Sequence, residues 1–173
     1  MKLGHEKYID VIEHTQLVSI DLLVTNGDGS KILLGKRINE PARGTWFVPG
    51  SRLYKEETME MGLTRVSTNE LGISLSTAKL IGVFDHIYDC NFLERPGITT
   101  HYLALGMLVR LDNDRLMESI RPDDQHAEME WFDISEETMA RPDVHRYTKT
   151  YIALLQNSNQ RSIPFGDART FLK

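Results

Sequence analysis

Cysteine is nearly absent from this sequence, with Cys90 the one thiol in 173 residues. A lone cysteine excludes an intrachain disulfide and any cysteine-clustered metal site, and it suits a reducing compartment. Long apolar runs are missing as well. None approaches the roughly 20 residues that cross a bilayer, and the opening MKLGHEKYID lacks the apolar core of a signal peptide. Charge of one sign is not in excess either. The net charge of −5 is mixed along the chain, which leaves no broad footprint for nucleic acid. There are no internal repeats and no low-complexity segments. These absences predict a cytoplasmic protein with no membrane and no nucleic-acid partner. Its hydrophobic content of 40% suffices for one domain with a proper core.

What is present is an alternation of elements. EKYIDVIEHTQ predicts a short amphipathic helix with Tyr8, Ile9, Val11 and Ile12 on its apolar side. LVSIDLLVT and KILLGKR read as two strands joined by the glycine-containing loop NGDGS, a β-hairpin. INEPARGT is a polar loop, TWFVPG a short strand ended by a proline–glycine turn, and a helix follows from about Glu57 to Leu71. Strand-like AKLIGVFDHIY, the loop DCNFLERPG and a long strand TTHYLALGMLVRL come next. The polar RPDDQHAE leads into the strand MEWFD, and a last helix runs from about Pro142 to Leu155. Helices flanking a mixed, mostly antiparallel sheet make an α+β fold, an α/β/α sandwich. One domain is expected over 1–173, with its core at about 17–157 and a loosely held tail at 158–173.

Two carboxylates are out of place in this pattern. Asp21 interrupts an apolar strand, facing either solvent or a cleft. Glu70 shares a helical stripe with Met59, Leu63 and Val66, the stripe that should face the core. An unpaired buried carboxylate costs several kcal/mol, so Glu70 pairs with a cation such as Arg65, frays into solvent, or ligates a metal. Gly72, a natural C-cap, ends the helix, and acids at its start suit the helix dipole.

The segment from Ser51 to Ile73 resembles a Nudix box. Glu57, Arg65, Glu70, Gly72 and Ile73 stand at the required spacing, whereas Ser51 replaces a glycine and Val66 and Asn69 replace glutamates. Three carboxylates on one helical face normally hold several divalent ions against a pyrophosphate. Only one of the three remains here. The stretches LVSIDLLV, LLGKR, PARGTWFVPG, NFL…TTHY and PDDQH are similar to those of the GDP-mannose mannosyl hydrolase subgroup, over about Leu17 to Tyr147.

That resemblance implies a Nudix fold and hydrolysis of a GDP-sugar at its anomeric carbon, with inversion, releasing GDP and free sugar. It implies one Mg²⁺, for which Mn²⁺ can substitute, held by the Gly50 carbonyl, Glu70 and Gln125. Arg52 and Arg65 would stabilise the leaving diphosphate, Arg37 and Asp21 would contact sugar and diphosphate, and Glu57 would anchor Arg65 or the metal's outer shell. His126 is the expected general base, since an imidazole with a pKa near 6.5 accepts a proton from water at neutral pH. His86 resembles a sugar contact and Tyr102 a phosphate donor, or plain strand packing. Tyr8 or Ile9 would pack on guanine, within a homodimer. His101 is expected to make a structural hydrogen bond, and His5, His14 and His145 to lie on the surface. Two alternatives stand beside this reading: a Nudix enzyme that cleaves a nucleoside diphosphate derivative at phosphorus, and a Nudix-fold module that binds a nucleotide sugar without turnover.

Overall fold

A computed structural model describes residues 3–112, 120 and 126–158. Among them a seven-stranded mixed sheet is formed by β1 (Leu17–Asn26), β2 (Lys31–Arg37), β3 (Trp46–Phe47), β4 (Gly50–Arg52), β5 (Lys79–Tyr88), β6 (Thr100–Leu111) and β7 (His126–Asp133). The helices are α1 (His5–His14), α2 (Met59–Leu71), α3 (Glu136–Ala140) and α4 (Arg146–Ser158). The main path runs β3-β2-β1-β6-β5, with β4 also paired to β1 and β7 to β2. Only β1 and β6 run parallel; the other pairings are antiparallel. The α+β expectation holds.

Alternation along β1 builds the layers. Ile20, Leu22 and Val24 join Leu63, Val66 and Leu71 of α2 in one core. Leu23 joins Tyr151, Ile152 and Leu155 of α4 in a core on the opposite face. The sheet is therefore the middle of a sandwich, and Asp21, with the parity of Leu23, faces α4.

The expected hairpin is there but soon opens. β1 and β2 pair at Thr25 and Ile32; beyond that point β1 pairs with β4 and β2 with β3, while β6 follows β1 and β7 follows β2 along their lengths. The divergence leaves a cleft at the open end. β4 lies where the sequence suggested only a turn and an approach loop. Its pairing of Gly50 with Asp21 needs glycine, because a Cβ there would sit 2.5 Å from the Ile20 carbonyl oxygen.

α2 begins two residues later than expected. The Thr58 hydroxyl accepts from the Met61 N–H as N-cap, and Gly72 takes the left-handed conformation (φ 72°) at the C-terminus. Its inward stripe is confirmed for Leu63, Val66 and Glu70. Met59, in the first turn, is exposed. β7 starts at His126, earlier than the MEWFD reading. The last helix, α4, starts at Arg146 rather than near Pro142, and a short helix outside the expected range, α3, capped by the Ser135 hydroxyl, precedes it.

Candidate active site

A cavity of about 850 Å³ occupies the open end of the sheet. This is within the usual range for small-molecule sites, roughly 300–1,000 Å³. Of the residues singled out in the sequence, Tyr8, Asp21, Arg37, Gly50, Arg52, Arg65, Glu70, His86 and Tyr102 all line it. Ile9 does not. It is buried in a small core with Ile12 and Leu17. Gln125 falls outside the described residues.

Three guanidinium groups converge on this space. Arg65 is held as a fork by Glu57, with Nε 2.6 Å from Oε1 and a terminal nitrogen 2.8 Å from Oε2. The same nitrogen donates to the Arg52 carbonyl at 2.8 Å. Glu57 also accepts the Tyr54 N–H at 2.9 Å. Arg65, foremost by its hydrogen bond, lowers the Glu57 pKa below the usual carboxylate range. Glu57 therefore anchors Arg65, and the cation that Glu70 could have claimed is already engaged. Arg52 lies over the rings of Tyr8, at 4.1 Å, and Tyr54, at 4.8 Å, which orients its charge without neutralising it. Arg37 ends β2, its backbone N–H and carbonyl fixed by Thr45 and Gly44.

Glu70 is 2% exposed and meets the cavity beside Gly50 and Asn69. Val66, one turn earlier, is wholly buried among apolar residues. Among the described residues no group of three or more His, Cys, Asp or Glu side chains is arranged to hold a metal. A cation here would rely on one carboxylate, carbonyl or amide oxygens, and phosphate oxygens from a ligand. That oxygen-only donor set fits Mg²⁺ and does not fit a thiolate- or imidazole-bound metal.

His126 departs from the simple expectation. Its imidazole is not on the cavity wall. The ring is fully buried, with Nδ1 3.9 Å from Glu70 Oε2. It also lies so close over Gly35 that a Cβ there would overlap it. In this conformation His126 touches a candidate metal ligand and not the space where water would stand.

At the other end of the cavity Asp21 and His86 form a buried pair, with His86 Nδ1 3.6 Å from Asp21 Oδ2. Tyr151 donates to that same oxygen at 2.8 Å, and the Ser19 hydroxyl lies 3.3 Å from Oδ1. Burial raises the Asp21 pKa to about 6, partly offset by these two hydrogen bonds. Burial, with His145 and Arg146 nearby, drops His86 to about 3. His86 is therefore a neutral hydrogen-bonding ring at neutral pH, not an acid or base. Sequence reasoning missed Tyr151, although its spacing of four from Tyr147 on one helix was visible. It also misplaced His145, which is half-buried against Phe47 and Tyr88.

The cavity mouth is aromatic. Tyr8 packs on Phe92 with ring centroids 5.1 Å apart, and His5 meets the same ring edge-on. Outside the cavity, His101 makes the expected structural contact, with Nε2 2.9 Å from Asp85. His14 is exposed, whereas His5 is exposed at the mouth itself.

The model of the NUDIX domain matches residues 15–154. This chain belongs to that family. Its members are hydrolases acting on nucleoside diphosphate derivatives, generally with divalent metals such as Mg²⁺. The low-salt glycan biosynthesis protein Agl8 of Haloferax volcanii is 38% identical over 147 residues, 84% of this chain and 88% of that protein. A MutT NUDIX hydrolase from Burkholderia pseudomallei superposes with a TM-score of 0.64 at 26% identity, covering 82% of this chain and 98% of that one. A MutT protein from Methanosarcina mazei Go1 gives 0.66 at 18% identity, covering 86% and 99%, a likeness of fold. The box runs into α2 and delivers Arg65 and Glu70 to one cavity.

Proposed function

We propose that this Nudix protein is a Mg²⁺-dependent hydrolase of GDP-sugars, with GDP-mannose as reference substrate, in which water attacks the anomeric carbon. The carrying observation is the charge balance at α2. Val66 is sealed in the core, Glu70 is the sole box acid of its face on the cavity, and Arg37, Arg52 and Arg65 share that cavity. Attack at phosphorus calls for several metals on an acidic platform. Attack at carbon calls for something else, a cationic clamp on a departing diphosphate. Similarity to a protein named for glycan biosynthesis supports a sugar-nucleotide substrate.

In this reading the water oxygen bonds to C1 as the bond from C1 to the β-phosphate oxygen breaks, and its electron pair leaves with GDP. Negative charge grows on the diphosphate. Arg65, pre-oriented by Glu57, and Arg52, pre-oriented by two tyrosines, are poised to hydrogen-bond it more strongly as that charge develops. Mg²⁺, held by Glu70, the Gly50 carbonyl and Gln125, would supply further charge neutralisation on the same oxygens. Asp21 and His86 would take sugar hydroxyls, and Tyr8 with Phe92 would flank the base. The water's second proton goes to His126, whose ring must leave Gly35 and turn to the cavity from the first residue of β7. A homodimer belongs to the same reading.

Hydrolysis of GDP-mannose in ¹⁸O-labelled water tests it. Label in mannose, with unlabelled GDP, is expected, and His126→Gln should cut kcat by about 10²–10⁴-fold, the usual worth of a general base. Label in a phosphate, with GMP and mannose 1-phosphate as products, would overturn the mechanism in favour of an ordinary Nudix pyrophosphohydrolase. Tight binding with no turnover would favour the non-catalytic module.

A further inference from the structure

Two tyrosines of α4 have no part in the chemistry described so far. Tyr147 and Tyr151 are four residues apart and so lie one turn from each other on a single face of the helix. Tyr151 is wholly buried and does not reach the cavity. Its hydroxyl nonetheless meets both members of the buried pair on the cavity wall, donating to Asp21 Oδ2 at 2.8 Å and lying 3.4 Å from His86 Nε2. The edge-on packing of Phe84 fixes its ring, with centroids 5.0 Å apart and planes at 88°. Tyr147 lies flat on the His86 imidazole, 3.8 Å between centroids and 10° between planes. The Tyr147 hydroxyl is pinned in turn, accepting from the Ile87 N–H at 2.6 Å and donating to the Ile87 carbonyl at 2.8 Å.

A buried hydroxyl needs a partner, and a backbone carbonyl would have served. Tyr151 instead makes a charge-assisted hydrogen bond to a carboxylate that is itself 5% exposed. With Ser19 at the other oxygen, the plane of the carboxylate is set. The ring of Tyr147 sets the plane of the imidazole. Neither Asp21 nor His86 then has rotamer freedom left to lose when a ligand arrives, and such groups bind more tightly for that reason.

We propose that Tyr151, with Tyr147 stacked on His86, is a positioning residue that presents the Asp21–His86 pair to the hydroxyls of the sugar. This rests on the GDP-sugar reading. It makes α4, far in sequence from the Nudix box, the element that sets sugar recognition. The loss should be specific to the sugar and leave recognition of the diphosphate alone.

Tyr151→Phe keeps the ring and its contact with Phe84 while removing the hydroxyl. The KM for GDP-mannose should rise about 10-fold, and the inhibition constant of GDP, which has no sugar, should stay within about two-fold. The double variant Asp21→Asn/Tyr151→Phe should lose no more than Asp21→Asn alone, because the tyrosine acts through that carboxylate. Equal weakening of GDP and GDP-mannose, full additivity with Asp21→Asn, or no change in either constant would each overturn the proposal. Should Tyr151→Phe fail to fold, Tyr147→Leu, which removes the stack on His86, must give the same split between sugar and GDP. Absence of GDP-sugar turnover in the wild type removes the function reading together with this one, whereas turnover with an indifferent Tyr151→Phe removes only the role of α4.

Discussion

Replacing Glu57 by Gln separates the two tasks of the Arg65 fork. The carboxylate accepts Arg65 Nε at 2.6 Å, an Arg65 terminal nitrogen at 2.8 Å and the Tyr54 N–H at 2.9 Å. An amide of the same shape can keep one or two acceptor contacts but must turn its NH₂ towards a guanidinium, breaking the bidentate geometry. Hydrogen bonds to charged groups are worth about 1.5–3 kcal/mol each. With the two side chains 9% and 22% exposed, solvent screens only part of this, so the net loss should be about 2 kcal/mol. For a domain of this size that is a fall of about 4–8 °C in Tm. The pH dependence fixes the cause. Folding depresses the Glu57 pKa, so its contribution is fully present above the unfolded carboxylate value of about 4.3 and is lost as pH falls through the lower folded value. Urea unfolding of wild type and Glu57→Gln should therefore differ by a constant amount from pH 7 to pH 5 and converge in more acid solution. A difference that persists unchanged well below pH 4, or a Tm within 1 °C of wild type, would show that the fork is held by packing and not by charge.

Glu70→Gln removes the carboxylate but leaves an oxygen on the cavity wall. Mg²⁺ should raise the Tm of the wild type through preferential binding to the folded state, and this rise should be absent or much reduced in the variant. Val66→Glu restores the acid that the Nudix box ordinarily carries. Because that position is 0% exposed among Leu63, Leu71 and Ile20, thermal unfolding should reveal a loss of about 3 kcal/mol or more and no gain of phosphorus-attacking activity. A stable Val66→Glu protein releasing GMP from GDP-mannose would contradict the placement of this side chain.

How much of this was legible in the sequence depends on whether neighbours along the chain or across it decide the structure. The α2 stripe of Leu63, Val66 and Glu70 follows from a period of 3.6 and a glycine stop, so it was readable. Glu57 and Arg65, eight positions apart at the spacing of the Nudix box, were readable as well. β4 was not. Three residues in Gly50–Arg52 carry no periodic signal, and they form a strand only because β1 offers an edge as β2 diverges. His126 read as part of a polar connection, yet it opens β7 because β2 supplies partners up to Arg37. Its burial depends on Gly35, 91 positions earlier, having no side chain in the way. Tyr151 carried no signal of its own. Nothing local links it to Asp21, which is 130 positions away.

The two ends of the cavity are thus built from opposite faces of one sheet. α2 packs on the face formed by Ile20, Leu22 and Val24, and it supplies Arg65 and Glu70 at the cationic end. α4 packs on the face of Leu23 and fixes Asp21 and His86 at the other end. β1 is common to both, since a period of two sends Ile20 to one helix and Asp21 to the other. On the proposed reading, a ligand that bridges the cavity would join an anionic segment to a polyhydroxylated one. That requirement is stricter than the demands of either end alone. A nucleoside triphosphate would meet the arginines but make no use of the buried Asp21–His86 pair, and a free sugar would do the reverse. On the proposed GDP-sugar reading, a sugar linked through a diphosphate would satisfy both, and the bond from C1 to the β-phosphate oxygen would fall near the boundary between the two helices' territories.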